Sequence, residues 1–144
     1  MFATPGALAR ALALDVARRL GEKPELVLGL PTGRTPIPLY REIVRRHQAG
    51  GADFRRATTF NLDEFLGVDP RDPRSYRSFM QRRLFDHINL PPRRIQFLNG
   101  STDDVERECR RYERAIDRAG GIDLQILGLG LNGHIGFNEP ARAL

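Results

Sequence analysis

The 144-residue sequence predicts an α/β fold, a Rossmann-like three-layer α/β/α arrangement around a mostly parallel sheet. Three observations lead there. Short apolar runs alternate with segments of helical period, in the order α-β-α-β-α-β-α-β. Each apolar run ends in glycine, proline or paired acidic residues, the chemistry of a loop at a strand's carboxyl end. No internal repeat, low-complexity stretch or long linker breaks the alternation, so the whole chain, 1–144, reads as one unit. Consecutive strands joined through helices imply right-handed crossovers and parallel pairing.

Leu8, Leu12, Val16 and Leu20 mark one face of a first helix over Ala7–Leu20, with Gly21 at the expected C-cap. Glu25–Leu30 reads as a sheet-core strand and ends in Pro31-Thr-Gly-Arg-Thr-Pro36, where Thr35 is placed to cap a helix and Pro36 to open it. That helix carries Tyr40, Ile43, Val44 and His47 on one face and stops at Gly50-Gly51. His47 has no partner at metal-ligand spacing and reads as a boundary residue. The second strand, Ala57–Leu62, runs straight into Asp63-Glu64. After a polar loop from Gly67 to Arg74, Ser75 can cap a helix holding Tyr76, Phe79, Met80 and Leu84, and Pro91-Pro92 ends that unit. Ile95–Leu98 is the third strand. Ser101-x-x-Asp104 and Asp103-x-x-Glu106 resemble capping boxes that open a helix ending before Gly120-Gly121. Cys109 lies in register there with Val105, Tyr112 and Ile116, which predicts a packed thiol. Ile122–Leu129 is the fourth strand.

Composition excludes several classes of function. The net charge is +5, almost all of it arginine, and Lys23 is the only lysine. A Schiff-base lysine is therefore not expected, because Lys23 precedes the first strand, away from the strand ends that carry the special loops. The arginines are spread over every predicted helix rather than gathered beside a reading motif, so no nucleic-acid partner is expected. A lone cysteine allows no intrachain disulfide or thiolate cluster. No apolar run approaches bilayer length and the N-terminus lacks a secretory layout, so the expectation is a soluble, cytoplasmic protein without a membrane partner.

The chemistry concentrates in three loops that a parallel sheet would open on one edge. Pro31 to Thr35 offers backbone N–H groups, hydroxyls and a helix start, suited to a phosphate, and Arg34 is placed to add a bidentate charge. Asp63-Glu64 offers a carboxylate that its neighbour and partial burial would push upward, suiting a general base. Ile126–Pro140 is a strand breaking into glycine-rich backbone, with Asn132, His134, Asn138 and Glu139 among Gly130, Gly133 and Gly136. Gly128, Gly130 and Gly133 meet the spacing G-x-G-x-x-G, yet no βαβ unit with a ribose-binding acid follows, so a dinucleotide site is not expected. A phosphate holder, a carboxylate base and an imidazole with its own carboxylate suggest proton transfer on a sugar phosphate.

Leu30-Pro-Thr-Gly-Arg-Thr-Pro36, Asn61-Leu-Asp-Glu-Phe65, Ser75-Tyr-Arg-Ser-Phe79 and Gly128-Leu-Gly-Leu-Asn-Gly-His-Ile-Gly-Phe-Asn-Glu-Pro140 resemble the signature segments of the glucosamine-6-phosphate deaminase family. The resemblance runs from about Glu25 to the C-terminus. It implies conversion of glucosamine 6-phosphate and water to fructose 6-phosphate and ammonia, with no metal and no organic cofactor. By position, His134 would assist ring opening with Glu139 orienting it, and Asp63 would carry the proton from C2 to C1. Thr32, Gly33 and Thr35 would hold the phosphate, and Glu64 would support the site. The expected partner is a small sugar phosphate, and further copies of the chain in a homo-oligomer are allowed. The best-known family members carry aspartate where Asn132 stands, and a usually small residue stands in the place of Arg34. Their domain also continues well beyond Leu144, which leads us to expect a fragment. Two other readings are a non-catalytic sugar-phosphate-binding module of the same fold, against which the joint presence of Asp63, His134 and Glu139 argues, and a 6-phosphogluconolactonase, which shares the glycine-histidine turn but not the Phe-Asn-Glu-Pro continuation.

Overall fold

The computed structural model describes residues 2–140. At its centre β1 (Val27–Leu30) is buried on both faces and pairs in parallel with β2 (Thr58–Asn61), in the register Val27 to Thr58. β3 (Ile95–Gln96) joins the far side of β2, and β4 (Leu124–Gln125) joins the far side of β1, so the order is β3-β2-β1-β4 with every pair parallel. Continuous apolar or small residues in β1 suit a strand covered on both sides.

Helices α1 (Pro5–Glu22), α2 (Ile37–Gln48) and α3 (Tyr76–Arg83) share one cluster with Leu28 and Leu30. α4 (Val105–Arg118) covers the other face, where Tyr112 packs on Val27 and Phe60. This gives the three layers expected. Two single 3₁₀ turns, Phe85–His87 and Pro92–Arg94, carry the chain from α3 to β3.

Several elements differ from the sequence expectation. α1 starts earlier because Thr4 accepts a hydrogen bond from the Ala7 N–H at 3.1 Å, a cap the apolar pattern does not mark. It also runs through Gly21 to end at Glu22, and its buried stripe is Ala9, Ala13, Val16 and Leu20. Leu8 stays 41% exposed, since alanine lets α1 lie close along α2 where leucine would hold it off. Thr35 makes no capping bond; Pro36 precedes α2 in a helical conformation, and the turn closes through the Ile37 N–H to the Arg34 carbonyl. β3 and β4 are shorter than expected. Each has one strand neighbour among the described residues, and a single ladder holds fewer residues in register than two.

Cys109 is exposed, contrary to the packed thiol expected. The inward position belongs to Glu108 instead. Its carboxylate accepts the Asn99 N–H at 2.7 Å and pairs with Arg111 at 2.6 Å, and this polar anchor sets the rotation of α4. Burial of an acid is tolerated when both oxygens are satisfied in this way. His47 behaves as expected of a boundary residue, with Nδ1 2.8 Å from the Ala52 carbonyl.

Candidate active site

The loops after β1, β2 and β4 converge on a cavity of 210 Å³. Thr32 and Thr35 line it from the first loop, Asp63 from the second, and Gly130, His134 and Phe137 from the third. The three strand ends thus meet at the edge where a parallel sheet opens to ligands. Gly33 has φ +95°, a left-handed conformation that turns the first loop between its two threonines.

Asp63 and Glu64 divide their work. Glu64 turns to α3, where its carboxylate accepts the N–H groups of Tyr76 and Arg77, each at 2.9 Å. Two amides that a helix N-terminus leaves unpaired are thereby satisfied by a negative charge. Asp63 stays half-buried at the cavity, and its Oδ1 is buried without a partner. Burial raises its pKa above the ordinary value. The Thr32 hydroxyl offsets part of that rise, and the charge of Glu64 adds to it.

In the third loop Asn132 stands between His134 and Glu139. Its amide nitrogen donates to Glu139 Oε2 at 2.6 Å, and its Oδ1 lies 2.7 Å from His134 Nδ1. An ionised carboxylate only accepts, so the –NH₂ must face Glu139 and the amide oxygen must face the ring. That oxygen in turn requires a proton on Nδ1, so in the neutral ring Nε2 is the nitrogen that carries the lone pair. Glu139 makes no direct bond to His134 among the described hydrogen bonds; its carboxylate reaches the ring through Asn132. Asn132 therefore completes the arrangement. A Cβ on Gly130 would lie 2.2 Å from the imidazole, so only glycine lets the ring lie against the loop.

Arg34 is exposed and does not line the cavity, and among the described residues no arginine or lysine does. Tyr76 is a site residue that the sequence reading places only in the core. Its ring lines the cavity, packs 4.5 Å from Phe65, and has a phenol whose pKa is raised by burial and by Asp63. Phe65 is in turn 6.3 Å from Phe137, so one aromatic row ties α3, the Asp63 loop and the His134 loop.

Known proteins share this fold. The profile of the glucosamine-6-phosphate isomerases/6-phosphogluconolactonase family matches residues 3–136. The chain belongs to that family. Among relatives, a glucosamine-6-phosphate deaminase of Hahella chejuensis is 54% identical over 141 residues, covering 98% of this chain and 54% of that protein. One from Clostridium botulinum is 50% identical over 133 residues, covering 92% and 54%. A solved monomeric glucosamine-6-phosphate deaminase superposes with a TM-score of 0.91 at 48% identity, covering 95% of this chain and 57% of that one. A 6-phosphogluconolactonase from Thermotoga maritima follows at 0.76 and 25%, covering 90% and 57%. This member of the family therefore spans about half the length of the relatives it matches. Its three-layer fold is the one those relatives share.

Proposed function

We propose that the protein carrying this chain is an amino-sugar-phosphate deaminase, converting glucosamine 6-phosphate and water to fructose 6-phosphate and ammonia. The observation that supports this best is the pairing of a half-buried carboxylate with an imidazole, oriented through its Nδ1 by Asn132, on one cavity. His134 Nε2, free to accept, takes the proton of the anomeric hydroxyl as the ring opens and returns it to the ring oxygen. Asp63 then takes the C2 proton of the open-chain amino aldose and delivers it to C1 while a proton of the amine passes to O1, so the C1 carbonyl becomes an alcohol as C2 is oxidised to an imine. Water adds to that imine and ammonia leaves. A carboxylate with a raised pKa suits both halves of the transfer, because it must give back the proton it takes. Thr32, Gly33 and Thr35 hold the phosphate through hydroxyls and backbone, and Glu64 keeps Tyr76 in place beside Asp63.

The lactonase reading has weaker support. Hydrolysis of a lactone needs no base aimed at a sugar carbon, and the solved lactonase is less similar than the solved deaminase. Turnover of glucosamine 6-phosphate deuterated at C2 separates the two: the deaminase reading expects ammonia release with deuterium from C2 found at C1 of fructose 6-phosphate, less whatever Asp63 exchanges with water. Hydrolysis of 6-phosphogluconolactone without ammonia release from the amino sugar would overturn it.

A further inference from the structure

Away from this cavity, five basic side chains from three segments line one cleft of 380 Å³. Arg41 and Arg45 come from α2, Arg82 and Arg83 from the end of α3, and His87 from the 3₁₀ turn that follows. Ile37 and Val44 form its apolar wall. Elsewhere the chain repeatedly sets a carboxylate two to four residues from an arginine, as with Arg55 and Asp53, Arg71 and Asp69, Arg74 and Asp72, or Arg110 and Glu106. In the cleft, among the described residues, only Arg45 has such a partner, Glu42. Arg82 donates to the Pro73 carbonyl, and the neighbouring acid Asp86 is held by Gln81. Basic residues in a last turn answer the helix dipole. That accounts for Arg45, Arg82 and Arg83 on their own helices, but not for Arg41 in mid-helix or for the convergence of both helices with His87 on one hollow.

We propose that this cleft binds a small oligophosphate, a chain of two or more phosphoryl groups, either free or carried by a nucleoside. Guanidinium groups bind phosphoryl oxygens in bidentate fashion. Arg41 and Arg45, one helical turn apart with Cβ atoms about 5–6 Å from each other, serve adjacent phosphoryl groups better than a single one. The arginines of α3 close the opposite wall. The assignment does not depend on the deaminase reading, because the cleft shares no residue with the catalytic cavity.

The test is calorimetry and thermal unfolding of the 144-residue chain at constant ionic strength, with tripolyphosphate, adenosine triphosphate without metal, and orthophosphate. The expected result is one saturating site for tripolyphosphate, about tenfold or more tighter than for orthophosphate, with a raised melting temperature. Tighter binding of adenosine triphosphate would assign the nucleoside form, and equal or weaker binding the free chain. Arg41→Gln with Arg83→Gln should weaken tripolyphosphate about tenfold or more, without changing the melting temperature in plain buffer. Should that double variant unfold, Arg41→Gln alone, with amide shifts of α2 and His87 followed by NMR, reads the same site. Non-saturating binding, affinity unchanged by the variants, or displacement of tripolyphosphate by glucosamine 6-phosphate overturns the proposal.

Discussion

Asp63 and Glu64 are adjacent carboxylates with opposite surroundings, the cavity for one and the first amides of α3 for the other. Burial raises the pKa of Asp63, so the folded chain holds that proton more tightly than the unfolded chain does. Ionised Asp63 therefore costs stability, and the cost appears as pH rises from the ordinary carboxylate range through the raised pKa. Asp63→Asn should raise the melting temperature at pH 7 relative to the parent, and the gain should vanish as pH falls below the ordinary carboxylate range. Denaturation scans of both chains from acid to neutral pH check this. On the proposed function, the same change should lower turnover by about 10²-fold or more while glucosamine 6-phosphate still binds, as kcat and KM measured apart would reveal. His134→Gln should impair turnover of the closed ring more than that of a locked open-chain analogue; equal loss would point to a structural role. Asp63, His134 and the two threonines are legible in the sequence because each sits in a loop directly after an apolar run. Tyr76 is not, since at the first position of an amphipathic helix it looks like any other core residue.

Elements show the same division between local and distant causes. The alternation of helix and strand, and so the parallel sheet, can be read from periodicity, whereas the rotation of α1 and α4 cannot. Glu108 faces inward because of the Asn99 N–H and Arg111, and Ala9 and Ala13 do so because α2 is close. Leu8 and Cys109, more apolar by type, lose those places. Native-state labelling of Cys109 by an aromatic disulfide reagent should accordingly run near the rate of an accessible thiol, and a protected thiol would restore the packed reading. The capping of α3 by Glu64, twelve residues before its first amide partner, is likewise invisible to a search for local boxes. Glu64→Ala leaves two helix amides without that carboxylate and should cost about 1–2 kcal/mol, measurable in a urea titration. It should also loosen Tyr76 against Phe65, so near-ultraviolet circular dichroism should change with it.

On the scale of the whole molecule, exposed apolar surface and a cavity short of positive charge lead to one expectation. Leu129 and Phe137, which line the cavity, are 75% and 65% exposed, and Leu131 in the same loop is fully so. β4, which leads into that loop, has a free edge among the described residues. Contiguous apolar surface with an open strand edge is an association site. The cavity itself has hydroxyls and backbone for a phosphate but no arginine or lysine among the described residues that line it. A site lacking two charge-assisted hydrogen bonds, at about 1.5–3 kcal/mol each, binds its ligand more weakly by roughly a hundredfold or more. The isolated 144-residue chain, about half the length of the relatives it matches, should therefore self-associate and deaminate glucosamine 6-phosphate poorly. Sedimentation beside an ammonia-release assay on one preparation examines both effects. Raising substrate about a hundredfold should recover part of the rate if only phosphate binding is deficient. Dilution should recover it if association blocks the cavity, because the exposed Leu129 and Phe137 line it. A monodisperse monomer with the turnover of a full-length deaminase would contradict both arguments at once, and would mean that Asp63, His134 and two threonines suffice to hold and convert a sugar phosphate.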